Sequence, residues 1–587
     1  MANIAVDSIK NRTFDAIVIG SGASGGWAAK ELTEKGLKTL LLERGRDVVH
    51  VKDYPTTNLY PYELEHRGET THADKLANPI ANRCYAYKED SQHFFVKDEE
   101  HPYIQEKDFD WIRGYQVGGK SLLWARQTQR WAEYDFEGPA RDGFAVDWPI
   151  RSADIAPWYS HVERFVGIAG NKDGLATLPD GEFLPGYPLN AVEDHFRNTV
   201  DRHFKGRHII SARCAHLSQP GPIHIEQGRV QCQNRKLCQR GCPFGGYFSS
   251  NASTIPWAQK TGNLTLRPHS VAHSVLYDKE SGRATGVKVI DTNTLEEIDF
   301  HAKVIFVNAS TLNTNLILLN SVSDRFPEGL GNDNGLMGKF VGFHNYTARI
   351  SAEYDGLLQY RTDGRNPAGG GYIPNFRNVE RQETDFLRGW AAAFGASRYE
   401  SRDSSGVGEE LKSGLLSSTW SNWRVHSHMM AETIPKEQNR VWLDADKKDR
   451  WGVPLLHVSV DYAEDDWQRR QDYYDRMAEM YEAAGFTNIK TQDDGRRPGN
   501  DIHEMGGVRM GRDPKTSLLN KWNQLHLCKN VYVTDGACMT STATQNPTLT
   551  YMALTARAVD HAVKELKQVS GATAGRHRTR PSIRLPS

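Results

Sequence analysis

The chain has 587 residues, with 72 Lys and Arg against 73 Asp and Glu, so no field of one sign argues for nucleic acid or an anionic membrane surface. With 38% hydrophobic residues and no apolar run near the roughly 18 residues of a bilayer span, nothing reads as a membrane-crossing helix. A chain this long buries a large core, and length alone suggests about four domain-sized units.

In chain order, Met1 to Phe14 is polar and lacks the apolar region of a secretory signal, which implies either a cytoplasmic chain or export by another subunit. The run Ala16 to Ile19 reads as a buried parallel strand leading directly into Gly20-Ser21-Gly22-Ala23-Ser24-Gly25. In this G-x-G-x-x-G pattern Gly20 permits the tight turn, Gly22 lets backbone approach a pyrophosphate, and Gly25 lets the next helix pack on the strand. That helix is expected from about Ala23 to Lys35, with its N-terminal N–H groups facing the phosphates and Gly36 ending it. A second strand, Thr39 to Leu42, delivers Glu43, a carboxylate suited to ribose hydroxyls and hostile to a 2′-phosphate. Strand, loop, helix, strand and acid together predict dinucleotide binding, with NAD and FAD both open at this point.

Residues 52–110 have few periodic elements and are expected to form a long excursion over the nucleotide site, a lid or a subunit contact. Next comes Arg113 to Trp124, where Gly118, Gly119 and Ser121 form a double-glycine turn that brings backbone N–H groups close to a flat or anionic ligand; an ordinary turn is the plain alternative.

From these segments onward the sequence resembles the glucose-methanol-choline (GMC) flavoprotein oxidoreductases, over about Phe14 to Leu566. The resemblance implies FAD as cofactor. It places Val271 over the adenine, Ala309 in the strand and turn returning under the flavin, and Glu432 to Asp444 in the substrate part. Asp501 to Gly511 is similar to the family's H-x-x-G-x-x-R-M-G segment, and Val533 to Thr548 to its D-G…N-P-T segment. On that pattern His503 is the base facing flavin N5, Asn546 is the second polar group, and Asp535-Gly536 touches the pyrophosphate. The helix near Asn546, Pro547 and Thr548 then points its N-terminus at the flavin. A neutral imidazole would take the hydroxyl proton while hydride leaves the carbinol carbon. Taken alone, one His among 22 is more often a surface or core residue, and Asn546 serves equally as a helix N-cap.

Three of the seven cysteines, Cys232, Cys238 and Cys242, fall in one loop spaced C-x5-C-x3-C-P. Clustered thiolates suit an iron–sulfur site, but a structural zinc with His224 as fourth ligand, a disulfide with one spare thiol, or free thiols fit the spacing too. Resemblance to the catalytic subunits of bacterial flavin sugar dehydrogenases implies a [3Fe-4S] cluster on these three cysteines. It also implies a small signal-bearing subunit, a cytochrome c-type acceptor, and a periplasmic location by co-export. Cys84, Cys214, Cys528 and Cys538 read as packing residues.

A cluster favours a dehydrogenase over an oxidase. Trp423, His426 and Glu432 are the candidate substrate residues, with aromatic faces and hydrogen-bonding tips suited to a sugar ring, although aromatics at such spacings also build sheet core. The overall pattern looks most like glucoside 3-dehydrogenases, which give a 3-keto-glycoside. An FAD-dependent dehydrogenase of glucose, fructose or gluconate type or a pyranose oxidase, acting at another carbon, and a flavin-containing lyase using His503 as base, are the alternatives. The expected fold class is α/β, α+β overall, with a Rossmann-like FAD-binding domain and an interleaved antiparallel-sheet substrate domain. The FAD-binding parts are 1–170, 225–342 (with cysteine loop 232–243) and 498–568. A connecting segment occupies 171–224, the substrate domain 343–497, and a disordered tail 569–587.

Overall fold

The computed structural model describes residues 12–361 and 370–577, with side chains as far as residue 568. Most of the polar N-terminal stretch, residues 1–11, lies outside the described residues. The first sheet begins with β1 (Thr13–Ile19), and helix α1 (Ala23–Glu34) connects it to β2 (Thr39–Leu42). β3 (Leu264–Arg267), β4 (Ser270–Asp278), β5 (Arg283–Asp291) and β6 (Glu297–Val307) complete the strand order β3-β2-β1-β6-β5-β4, and the short strand Val531–Val533 pairs with β6. β3, β2, β1, β6 and Val531–Val533 run parallel, with Ile17 opposite Leu40 on one side and Ile305 on the other. β5 and β4 are antiparallel additions. Central strands covered on both faces need apolar residues at every position, which is why Ala16 to Ile19 reads as a continuous run and not an alternation. One face packs Val18, Leu41 and Val304 against Ala28 and Leu32 of α1, each large side chain contributing about 1.5–3 kcal/mol by burial.

β6 feeds helix α2 (Thr311–Leu319), and the chain then builds the second sheet. Its strands are β7 (Ala348–Tyr354), β8 (Gly371–Ile373), β9 (Trp390–Ser397), β10 (Trp423–Glu432) and, after helix α3 (Glu464–Ala483), β11 (Thr487–Asp493). The order is β11-β7-β10-β9-β8 followed by the short strand Ile210–Ser211, all antiparallel. One face packs on α3 through Trp423, Val425, Met429, Tyr473 and Met477. The other face carries His426, His428 and Met430, the opposite parity of β10, and turns toward the first sheet.

Residues 52–110 form no regular sheet of their own but fold over a small separate core of Tyr54, Ile80, Tyr87, Phe94 and Phe95. They also grip the cysteine loop: Thr57 Oγ1 donates to Gly241 O at 2.7 Å, and Arg240 Nε to Asp90 Oδ2 at 2.6 Å. The last helix, α4 (Thr548–His577), packs on α1 and corrects the expected tail. It continues through Gln568, Ala572 and Ala574, since extending a formed helix costs little, and it passes Gly571 and Gly575 without stopping. Residues 578–587 of that tail lie outside the described residues. Among the described residues, no helix is long and apolar enough to cross a membrane.

Candidate active site

A cavity of about 530 Å³ lies between the C-terminal ends of β1, β2 and β6 and the inner face of the second sheet. The three loop glycines divide their work. Gly20 has φ +95°, and a Cβ there would meet Asn308 O at 2.4 Å. A Cβ on Gly25 would meet Gly20 O at 1.8 Å, so α1 lies tight on the loop. Gly22, by contrast, faces open space, and it caps α1 without a side-chain hydrogen bond, leaving the first N–H groups of the helix directed into the cavity. Glu43 ends β2 with Oε1 accepting from Gly45 N at 3.0 Å and Oε2 accepting from Ser21 Oγ. Burial raises its carboxyl above the ordinary range. Gly118 N donates to Ser21 Oγ at 2.9 Å, and Ser121 Oγ to Gly118 O at 2.6 Å, which locks the double-glycine turn onto the loop. Gly119, Ser121, Val271, Ala309, Asp535, Gly536, Pro547 and Thr548 all line the cavity, while Gly25 and Gly118 stand behind it as packing glycines. Asp535 accepts from Thr314 Oγ1 at 2.6 Å and from Ala537 N at 3.0 Å, and burial pushes its carboxyl up to about 6.

His503 and Asn546 meet on the wall between the two sheets. Asn546 Nδ2 lies 3.2 Å from His503 Nε2, and α4 begins just beyond it. Pro547 O accepts from Tyr551 N at 3.0 Å, so Pro547 holds the capping position and the side chain of Asn546 is left to His503. Ile502 sits at φ +66°, a left-handed conformation that a β-branched residue adopts only at a cost, in the turn that brings His503 into the cavity. His503 Nδ1 is 2.9 Å from His344 Nδ1 and 3.9 Å from Asp501 Oδ2. Burial, then His344, then Lys120 hold the His503 imidazole well below its ordinary range, so it is neutral. Lys120 Nζ is paired with Glu504 Oε2 at 3.2 Å.

On the facing sheet, His426 stands at the mouth, His428 deeper, and Met430 deepest, with Tyr346, Arg126 and Gln127 alongside. Tyr346 meets His428 edge-on at 5.1 Å. Two of the expected substrate residues are elsewhere. Trp423 has the opposite parity on β10 and is sheet core, donating from Nε1 to Leu357 O at 3.3 Å. Glu432 does not line the cavity: its Oε2 accepts from Arg388 Nε at 2.8 Å, in a buried cluster where Arg388 also meets Asp142 at 3.1 Å and Asp135 at 3.6 Å. Burial above all, and then the Glu432 carboxylate, push Asp135 up to about 7 against the lowering pull of Arg388.

Models of the GMC oxidoreductase family match residues 189–334 and 435–555. The chain is a GMC oxidoreductase. It is 28% identical over 574 residues to 2-methyl-1,2-propanediol dehydrogenase of Mycolicibacterium austroafricanum, covering 94% of this chain and 96% of that one. It is 26% identical to the fructose dehydrogenase large subunit of Gluconobacter japonicus, covering 94% and 98%. Formate oxidase of Aspergillus oryzae has the same fold, with TM-score 0.58 at 12% identity over 95% and 99% of the two chains. As a GMC oxidoreductase this is an FAD enzyme acting on CH–OH groups of alcohols or sugars. The residues present fit the cofactor: Gly22 alone of the loop glycines opens on space that a Cβ would take, uncapped N–H groups face it, and Glu43 waits at the far end of β2.

In this GMC oxidoreductase Cys232, Cys238 and Cys242 line one small pocket beside His216 and Tyr247. All seven cysteines are free, so the spare-thiol disulfide does not form. Cys84, Cys214, Cys528 and Cys538 are buried, as packing residues are. His224, the expected fourth zinc ligand, is not at the pocket: Gly221 N donates to its Nδ1 at 2.9 Å, capping a short helix. His216 takes that place, with Nε2 3.8 Å from Cys238 Sγ and Nδ1 buried without a partner. Sequence reasoning missed His216, His344 and Arg126. None lies within a recognisable motif, and only long-range packing brings them to their sites.

Proposed function

We propose that this GMC oxidoreductase is a dehydrogenase oxidising a secondary ring hydroxyl of a sugar or glycoside, at C3, to a keto sugar. The observation that carries the reading is the His503–Asn546 pair, a neutral imidazole and an amide 3.2 Å apart on one wall, with the histidines of β10 on the other. FAD, when bound, supplies the two-electron acceptor for the hydride leaving the carbinol carbon. His503 takes the hydroxyl proton as that hydride leaves, and Asn546 orients the same oxygen without competing as a base. His426, His428 and Tyr346 offer hydrogen bonds and a ring face to the neighbouring hydroxyls, which suits a polyhydroxylated ring. Gly20, Gly22, Glu43, Asp535 and the start of α4 are the groups that would hold the dinucleotide.

The reading extends to a [3Fe-4S] cluster on Cys232, Cys238 and Cys242, which would carry single electrons outward. Three soft thiols facing one pocket support it, as does Arg229, fully buried beneath the loop with Nη2 unpartnered and a positive charge that thiolates would offset. Among the described residues these thiols are not gathered within 4.8 Å as the ligands of a single ion would be. A cluster implies a protein acceptor such as a cytochrome. The relative named as a large subunit supports a small partner subunit, and with it a periplasmic location by co-export.

The diol dehydrogenase relative favours a second reading, in which a small acyclic alcohol is the substrate. Anaerobic incubation with methyl β-D-glucopyranoside and an artificial acceptor, with the product read by NMR, separates them. A C3 ketone is the expected product. A lactone from D-glucose with the glucoside untouched, or turnover of 2-methyl-1,2-propanediol alone, overturns the C3 assignment.

A further inference from the structure

His344 sits behind the proposed base and does not line the cavity, its backbone pairing with Glu432 at the end of β10. Its ring is fully buried, and its two nitrogens have different partners. Nε2 lies 3.1 Å from Thr542 O and 3.0 Å from Ala543 O, both backbone carbonyls that can only accept. Nδ1 lies 2.9 Å from His503 Nδ1. A bare Nε2 would set its lone pair against two carbonyl oxygens, so Nε2 carries the proton. A neutral imidazole has one N–H, so His344 Nδ1 is bare and accepts. The proton between the rings therefore belongs to His503 Nδ1. That leaves His503 Nε2 as a lone pair, and it is the nitrogen that faces the cavity and accepts from Asn546 Nδ2 at 3.2 Å.

We propose that His344 is a positioning residue that fixes the tautomer and orientation of His503, so that its cavity-facing nitrogen is always the basic one. The inference rests on the reading of His503 as the base. Two backbone carbonyls of the Thr542–Ala543 turn thus set, through two rings, which nitrogen accepts the substrate proton. When Nε2 gains that proton, Nδ1–H still donates to His344, so the imidazolium keeps a hydrogen-bond partner and gains no fixed counter-charge. The other charged groups near His503 are Asp501 at 3.9 Å, outside hydrogen-bond range and occupied by His344 N at 2.8 Å, and Lys120, paired with Glu504. A metal ion shared by His344, Asp501 and His503 is the competing use of the same atoms. The two Nδ1 atoms stand at 2.9 Å, a hydrogen-bond separation and shorter than the roughly 3.3 Å between two nitrogens on one tetrahedral zinc.

Four variants of the flavin-loaded enzyme, His344→Phe, His344→Asn, His344→Asp and His503→Gln, test this. The assay follows kcat and KM against pH with methyl β-D-glucopyranoside and D-glucose, and flavin content is recorded for each. His344→Phe removes the acceptor and is expected to lower kcat by about 10²- to 10³-fold, most of the value of a general base, with KM changed little. His344→Asn places an amide oxygen where Nδ1 was and is expected to recover most of that loss. His344→Asp gives His503 an anionic partner, which raises its pKa, so the acid limb of kcat/KM moves to higher pH. A purely structural His344 would show neither the recovery nor the shift. Unchanged kcat and pH profile in His344→Phe, or an unmoved acid limb in His344→Asp, overturns the relay; the Asp result decides if the Phe variant fails to hold flavin. Inhibition of wild type by a chelator, with iron, acid-labile sulfide and flavin content unchanged, overturns it in favour of a metal at His344, Asp501 and His503. If His503→Gln itself turns over normally, the base assignment fails instead, and the two failures are told apart.

Discussion

Asn546 Nδ2 reaches His503 Nε2 across 3.2 Å, joining a residue two places before α4 to the turn at Ile502 and closing the seam between the two sheets at the proposed reacting centre. Replacing Asn546 by Ala removes the donor to His503 and leaves the proposed base. The expected loss in kcat/KM is about tenfold to a hundredfold, matching the roughly 1.5–3 kcal/mol of a hydrogen bond to a group that becomes charged. Asn546→Asp is expected to move the acid limb to higher pH, since the carboxylate favours the imidazolium. Steady-state pH profiles of both variants check this.

Gly22 and Gly25 belong to one motif but fail differently when changed to Ala. Gly22 has φ −67° and no atom within 4 Å of a Cβ, so Gly22→Ala should fold with unchanged Tm as apoprotein and lose FAD affinity. Gly25→Ala drives a methyl into Gly20 O and should lower apoprotein stability by several kcal/mol. Thermal unfolding of the apoproteins and FAD titration separate the two effects.

Arg388 ties Glu432 of the second sheet to Asp135 and Asp142 of the helix Glu133–Asp142. Arg388→Met strands the buried carboxylates of Glu432 and Asp135, while Asp142 keeps Arg141, and is expected to cost about 3–5 kcal/mol. Glu432→Gln keeps a hydrogen-bonding oxygen, should cost about 1–3 kcal/mol, and should leave KM for the sugar within about twofold because Glu432 does not face the cavity. A large KM rise with unchanged Tm would return Glu432 to the substrate site.

Two buried groups near His503 give stability opposite slopes with pH. Burial lowers His344 to about 4, so its contribution is intact above its unfolded pKa and is lost as pH falls from about 6.5 toward 4. Burial raises Asp501 to about 7, so its contribution is intact below its unfolded pKa and is lost as pH rises from about 4 through 7. Asp501→Asn retains an acceptor for His344 N and should raise Tm relative to wild type at pH 8, with the difference vanishing near pH 4. Unfolding curves at pH 4.5, 6 and 8 show it.

Cys238→Ser should remove iron and acid-labile sulfide while leaving flavin content near wild type, because the cysteine pocket and the main cavity are separate. Iron analysis and low-temperature EPR read this, and wild type lacking iron when prepared anaerobically contradicts the cluster.

The β1–α1–β2 unit is legible in the sequence because its constraints are local: a strand buried on both faces, glycines where backbones touch, and an acid at the next strand end all fall within Phe14 to Glu43. The β10 face is partly legible. Apolar Trp423, Val425, Met429 and Ala431 share one parity, which points His426 and His428 the other way and excludes Trp423 from the cavity. Parity fails at Glu432, since a buried Arg388 from 44 residues upstream claims the carboxylate. His344 is 159 residues from His503, and nothing in either segment announces the contact. Residues 569–577 of the expected tail are helical because polar composition does not stop a helix that is already packed on α1.

Anaerobic stopped-flow mixing of wild type and His503→Gln with methyl β-D-glucopyranoside, D-glucose and D-fructose, followed by flavin absorbance, tests the central claim most directly. At least one sugar is expected to bleach the wild-type flavin, and His503→Gln to slow this by about 10²- to 10⁴-fold with flavin still bound. Bleaching at equal rates in the two proteins contradicts His503 as the base. No bleaching by any of the three sugars contradicts sugar oxidation at this site.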